Sequence, residues 1–165
     1  MDIRRASLLL LGVTIFVTPV FAQSPSDTVV ASKGSVGITG GAQGTTSENV
    51  GSATNGSYGG WVDFGRGKWN TNIDASRSPN TWVIGVAALR RIEMADRPEV
   101  FHYLVGGGVI HRQVSGDGPT GALIAGIGMD IPVRRVVGRL QYRFSCGGVD
   151  GPVVSQIQAG IGWRY

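Results

Sequence analysis

The chain has 165 residues, with 15 Lys+Arg against 11 Asp+Glu, two His and a single Cys, a length that suits one domain with a core of its own. Charged residues make up 16%, hydrophobics 42% and Gly 27 positions, a balance that fits neither a disordered acidic chain nor collagen. Beyond residue 22 no apolar run approaches the ~18 residues of a membrane helix, and a lone thiol (Cys146) excludes a disulfide framework and any CxxC motif.

Residues 1–22 have the layout of a secretory signal peptide. Arg4 and Arg5 give a positive start, Ala6 to Val17 is almost wholly apolar, and Val20-Phe21-Ala22 offers small residues at the cleavage positions, so cutting is expected after Ala22. No Cys follows to carry a lipid anchor. Cleavage removes Asp2, Arg4 and Arg5 and lowers the formal net charge of +4 by one. The remaining basic excess is spread thinly, with no Lys/Arg cluster among aromatics, so a nucleic-acid partner is not expected. Residues 23–34 form a polar lead-in, and 35–165 form the domain.

From Ser35 onward the sequence alternates with a period of two and shows no sustained helical spacing. Eight segments are predicted as strands: Ser35–Thr45, Ser57–Gly65, Lys68–Ser76, Thr81–Arg90, Glu99–Arg112, Gly121–Ile131, Arg135–Ser145 and Pro152–Tyr165. Between them lie turn-rich segments, the longest being Thr46–Gly56. Strands of about ten residues, even in number, suit a tilted crossing of a bilayer.

One parity of each strand is free of charge at mid-strand: Val36 and Ile38; Val62; Ile73; Ile84 and Val86; Val105 and Val109; Leu123 and Ile127; Leu140; Ile157 and Ile161. The other carries Asp63, Asp74, Asp130, Arg139, Arg143 and Arg164 with Asn, Gln and many Gly. A Lys or Arg facing mid-membrane lipid costs roughly 2–4 kcal/mol, so the uncharged parity is assigned outward. With strands running up and down, Phe64, Trp69, Phe101, Tyr103, Trp163 and Tyr165 fall at one rim. Tyr58, Trp82, Tyr142 and Phe144 fall at the other, and only Trp61 points inward. Two aromatic girdles around an apolar band mark an outer-membrane barrel, because indole and phenol rings favour the headgroup interface. The expected fold is therefore all-β, an eight-stranded antiparallel up-and-down transmembrane β-barrel.

The signal peptide, the eight alternating segments and the terminal Gln158-Ala159-Gly160-Ile161-Gly162-Trp163-Arg164-Tyr165 resemble the small eight-stranded outer-membrane barrel family. That family includes the membrane domain of the outer-membrane protein A type and the stand-alone X-type and attachment-invasion-type barrels. The resemblance implies that the last strand, through Ile157, Ile161, Trp163 and Tyr165, is read by the barrel-assembly machinery. It also implies location in the outer membrane of a Gram-negative-type bacterium, with outer-membrane lipid and lipopolysaccharide as partners. Thr46–Gly56 is short beside the protruding loops of the invasion-type members, and no peptidoglycan-binding domain is expected after Tyr165.

Eight strands leave an interior that side chains can fill. Three acids (Asp63, Asp74, Asp130) and three bases (Arg139, Arg143, Arg164) on the inward parity suggest a plug of ion pairs, with Asp130 and Arg139 meeting diagonally across the Pro132–Arg134 turn. The expected role is structural or surface-interactive, without catalysis and without a cofactor or metal. Two other readings compete. His111 near Ser115 and Asp117 could serve a rim-located lipid-modifying enzyme, although the His-x-Ser arrangement of the deacylase type is absent. A soluble periplasmic or secreted lipocalin-like barrel would instead place its larger apolar groups inside. Arg77 and Arg112, near the outer rim, could meet lipopolysaccharide phosphates.

Overall fold

The computed structural model describes residues 34–47, 51–65, 69–94, 99–113, 118–148 and 151–165; the expected signal segment and nearly all of the lead-in lie outside them. Eight strands follow in order: β1 Ser35–Ser47, β2 Gly51–Phe64, β3 Trp69–Ser78, β4 Thr81–Glu93, β5 Val100–Arg112, β6 Thr120–Val133, β7 Val136–Cys146 and β8 Val153–Arg164. Each pairs antiparallel with the next. β1 then closes on β8 from Ser35↔Arg164 to Thr46↔Val153, giving an up-and-down barrel with no free lateral edge along its body. Both described ends of the chain meet at one rim, here called proximal, where Tyr165 N donates to Gly34 O at 3.1 Å.

Alternation along each strand becomes a two-sided wall because successive side chains point to opposite faces. Every outward position predicted from parity faces outward, and large apolar groups there are exposed, among them Ile38, Leu123, Ile127, Ile157 and Ile161. Apart from Arg164 and several glycines the predicted inward set is buried, but the inward face is not uniformly polar. Val83, Ala87, Leu89, Leu104, Ile110, Ala122, Ile124 and Val154 form an apolar cluster inside the barrel, contributed mainly by β4, β5 and β6. Fully burying a Val, Leu or Ile side chain contributes about 1.5–3 kcal/mol, so this arc of the lumen is an ordinary hydrophobic core. The charged and amide side chains gather on the remaining arc.

Trp61 is the one inward-facing aromatic in the polar half. It fits because Gly37, Gly160 and Gly162 face it from β1 and β8, and a Cβ on Gly160 or Gly162 would lie 2.7 Å from its ring. The indole Nε1 donates to Ser35 Oγ at 3.1 Å.

Two predicted boundaries need correction. Thr46–Gly56 is expected as a loop, yet β1 continues to Ser47 and β2 begins at Gly51, paired in register from Ser47↔Gly51 onward. β2 meets β3 only from Tyr58↔Arg77, so residues 51–57 have β1 as their sole partner and the hairpin stands above its β3 neighbour at the distal rim. Its Ser, Thr, Asn and Gly residues meet the same surroundings on both faces, so no alternation betrays the strand. Arg91 is likewise expected in a loop, but β4 runs on to Glu93 and turns Arg91 inward. The β6–β7 connection is a two-residue turn after Val133↔Val136, with Arg134 at φ +57°, where hairpin turns need left-handed backbone.

Candidate functional site

The most specific constellation in the molecule lies inside the proximal third of the lumen. Asp63 on β2 is fully buried (0% exposed), and Arg139 on β7 is 3% exposed. Arg139 Nη2 donates to Asp63 Oδ2 at 2.6 Å, while its Nε and Nη2 donate to Asp130 Oδ1 and Oδ2 at 2.7 and 3.0 Å. This bidentate fork is the strong form of an arginine–carboxylate pair. Arg91 from β4 adds a second guanidinium, 2.8 Å from Asp63 Oδ2 and 3.4 Å from Asp130 Oδ2. Ser35 on β1 and Asn72 on β3 donate to Asp63 at 2.8 and 2.7 Å. His102 on β5 brings Nδ1 to 3.5 Å from Asp130 Oδ1 without a hydrogen bond. The Arg139 guanidinium also lies over the Trp61 ring, 4.5 Å from its centroid.

Two carboxylates and two guanidiniums thus neutralise one another at one level, and the ring's hydrogen bonds and ion pairs join β1, β2, β3, β4, β6 and β7. Asp130 and Arg139 face each other directly in the β6–β7 register, not diagonally as expected. A second level holds one balanced pair: Arg143 Nη2 donates to Asp74 Oδ1 at 2.8 Å, and Arg143 Nη1 forms an ion pair with Asp74 Oδ2. Gly85 and Gly126 make room for it, since a Cβ on Gly85 would meet Asp74 Oδ1 at 2.7 Å and one on Gly126 would meet Arg143 Cγ at 3.1 Å. A third level, toward the distal rim, is uncharged. Gln156 Nε2 donates to Gln43 Oε1 and to Ser76 Oγ, both at 2.7 Å, and Gln43 Nε2 donates to Ser78 Oγ at 2.9 Å.

Of the six ionic residues predicted for the lumen, Asp63, Asp130 and Arg139 come together, and Asp74 and Arg143 form the second pair. Arg164 stands apart from both, half-exposed in the open proximal recess beside Arg91 and Asp130. Position explains this: Arg164 is the last residue of β8 and lies beyond the ring of pairs. Arg91 takes the place sequence reasoning gave to Arg164. Its signal was available, since Arg91 shares the inward parity of Val83, Ala87 and Leu89.

Phe64, Trp69, Phe101, Tyr103, Trp163 and Tyr165 stand at the proximal end of their strands, and Tyr165 OH donates to the Asp63 carbonyl at 3.1 Å. Trp82 and Phe144 stand toward the distal end; Tyr58 is at mid-strand in β2 but opposite Arg77 near the distal end of β3, and Tyr142, one residue past the midpoint of β7, lies between Ile127 and Ile157. Ile157 and Ile161 face outward on β8 with Trp163. His111 points outward and stacks edge-on against Trp82, centroids 5.4 Å apart. Ser115 and Asp117, its expected companions, lie outside the described residues. Among the described residues no group of three or more His, Cys, Asp or Glu is placed to hold a metal.

A closed wall of eight antiparallel strands, apolar outside and carrying ion pairs within, is the fold of the small eight-stranded outer-membrane barrels. In structure the chain is similar to Neisserial surface protein A (NspA), with a TM-score of 0.69 at 14% identity over 82% of this chain and 99% of that one. It is similar to Ail, the attachment invasion locus protein of Yersinia pestis, with a TM-score of 0.52 at 16% identity over 82% and 100%. It is also similar to the N-terminal β-barrel domain of Pseudomonas aeruginosa OprF, with a TM-score of 0.50 at 12% identity over 80% and 99%. At these identities the likeness is one of fold. No protein-family model and no curated protein matches the sequence.

Proposed function

We propose that this protein is an integral β-barrel of a Gram-negative-type outer membrane, with a structural or surface-interaction role and no catalysis of its own. The observation that carries the reading is the outer wall. Ile38, Val62, Ile73, Val86, Val105, Leu123, Ile127, Leu140, Ile157 and Ile161 are all exposed on it, spread over every strand from β1 to β8. Soluble monomers seldom expose a contiguous apolar patch beyond a few hundred Å². A bilayer is the solvent that suits such a band. The aromatic residues toward the strand ends, the shared fold of NspA, Ail and OprF, and the signal-like residues 1–22 support the same reading.

The lumen is closed to ions. Balanced pairs cross it proximally, the hydrogen-bonded glutamines cross it distally, and the apolar cluster fills the opposite arc. The two-level charge balance fixes register and holds the wall together, as buried pairs do once every partner is present. Lipopolysaccharide phosphates meet Arg77 and Arg112 at the distal rim, and the assembly machinery engages β8 through Ile157, Ile161, Trp163 and Tyr165. Planar-bilayer recording tests the closure: the refolded protein is expected to give a flat baseline, and steady nanosiemens openings would overturn it.

A further inference from the structure

Strand-borne charges on the outer wall fall into two rows. In one, the β3–β4–β5 register sets Trp69, Arg90 and Tyr103 side by side at the proximal rim. In the other, the β2–β3–β4 register sets Tyr58, Arg77 and Trp82 side by side at the distal rim. Trp69 to Arg77 spans eight positions of β3, roughly 27 Å along the strand. With a tilt of about 40° this becomes ~20 Å of height, close to the ~25 Å apolar band of a membrane barrel. Each row therefore stands at one headgroup layer.

The proximal row is the more completely built. The Arg90 guanidinium lies 5.6 Å from the Trp69 centroid, and the Trp69 and Tyr103 rings meet edge-on, with centroids 5.9 Å apart and planes at 89°. Among the described residues Arg90 makes no ion pair. The Tyr103 hydroxyl is buried against the protein and has no hydrogen-bond partner. A cation among apolar surface calls for a counter-ion. An acceptor that carries negative charge and sits at the lipid interface answers the Arg90 guanidinium.

Resting on the reading that this wall faces lipid, we infer that Arg90, Trp69 and Tyr103 form a binding site for the phosphodiester of a membrane glycerophospholipid at the proximal rim. Arg90 donates to the phosphate oxygens, Trp69 packs on the glycerol and upper acyl chain, and the Tyr103 ring braces Trp69 edge-on. A headgroup without an amine of its own, of the phosphatidylglycerol type, is favoured, because an ammonium or choline group competes with Arg90 for the phosphate charge.

The test reconstitutes the full chain in vesicles containing phosphatidylcholine and phosphatidylglycerol, with bromine on the acyl chains of one lipid at a time. Bromine quenches tryptophan emission on contact, and the part of the emission lost in Trp69→Phe isolates the site. The expected result is an approximately fivefold preference for phosphatidylglycerol at Trp69, the effect of one arginine at an anionic surface. Arg90→Gln is expected to abolish the preference, and Tyr103→Phe, which keeps the ring against Trp69, and Arg77→Gln to leave it unchanged. Equal quenching by both lipids in the unaltered protein would overturn the site while leaving the membrane reading intact. No quenching by either would overturn the membrane reading itself. A preference removed by inorganic phosphate, but not by chloride at the same ionic strength, would reassign the site to free phosphate.

Discussion

Arg139→Gln probes the ion-pair ring at its centre. The guanidinium donates to Asp63 at 2.6 Å and to Asp130 at 2.7 and 3.0 Å. Without it both carboxylates rely on Arg91, which is 2.8 Å from Asp63 but 3.4 Å from Asp130. Asp63 keeps Ser35 and Asn72, so Asp130 becomes the poorly compensated buried charge. Removing one partner of a buried pair costs about 3–5 kcal/mol. The lost stacking on Trp61 adds about 0.5–2 kcal/mol. Taking ~4 kcal/mol and a urea m-value near 2 kcal/mol/M, the midpoint should fall by ~2 M. The assay is urea unfolding of the protein in phosphatidylcholine vesicles, followed by tryptophan emission. Asp130→Asn in the same chain should restore at least ~1.5 kcal/mol relative to additivity, because it removes the orphaned charge. A midpoint shift below ~0.5 M, or strict additivity of the two changes, would refute the account of the ring.

Three further substitutions test other parts of the fold. Ile127→Lys, at a mid-wall position already 58% exposed, should destabilise the vesicle-embedded barrel by about 2–4 kcal/mol in the same unfolding assay, whereas a water-facing site would change by under ~0.5 kcal/mol. Gly160→Val puts side-chain atoms where Trp61 lies 2.7 Å from the built Cβ; overpacking of this kind costs about 1–3 kcal/mol and should broaden or shift the Trp61 emission of the folded state. Arg134→Gly relieves a left-handed residue at φ +57° in the β6–β7 turn and should raise the urea midpoint by the equivalent of about 0.5–1 kcal/mol.

Strand count, pairing order and facing were legible because the wall separates two unlike media, which stamps a period of two on the chain wherever the two faces differ. Where they do not differ, the pattern fails. Residues 51–57 pair only with β1 above their β3 neighbour, so small polar residues serve both faces, and turn-like composition hides a strand. On β4 the run Trp82 to Leu89 is apolar on both sides because its inward half, Val83, Ala87 and Leu89, packs into the luminal cluster. Parity sorted these residues correctly, yet hydropathy alone did not separate the lumen into a polar arc and an apolar one. A charge beside a strand end has the composition of a loop, which hides Arg91 although its parity matches the buried face. Asp63 and Arg139 are 76 positions apart, and only barrel closure brings them to 2.6 Å. Sequence supplied the equal numbers of inward acids and bases; which acid meets which base depends on the height at which each strand carries them.

The central claim, that the apolar wall faces a bilayer, is tested most directly by separating outer membrane, inner membrane and periplasm from cells producing the protein and running each fraction unboiled and boiled on a denaturing gel. The account predicts a band in the outer-membrane fraction that migrates differently after boiling, because a closed barrel resists detergent until heated. A periplasmic band with the same mobility before and after boiling would contradict it.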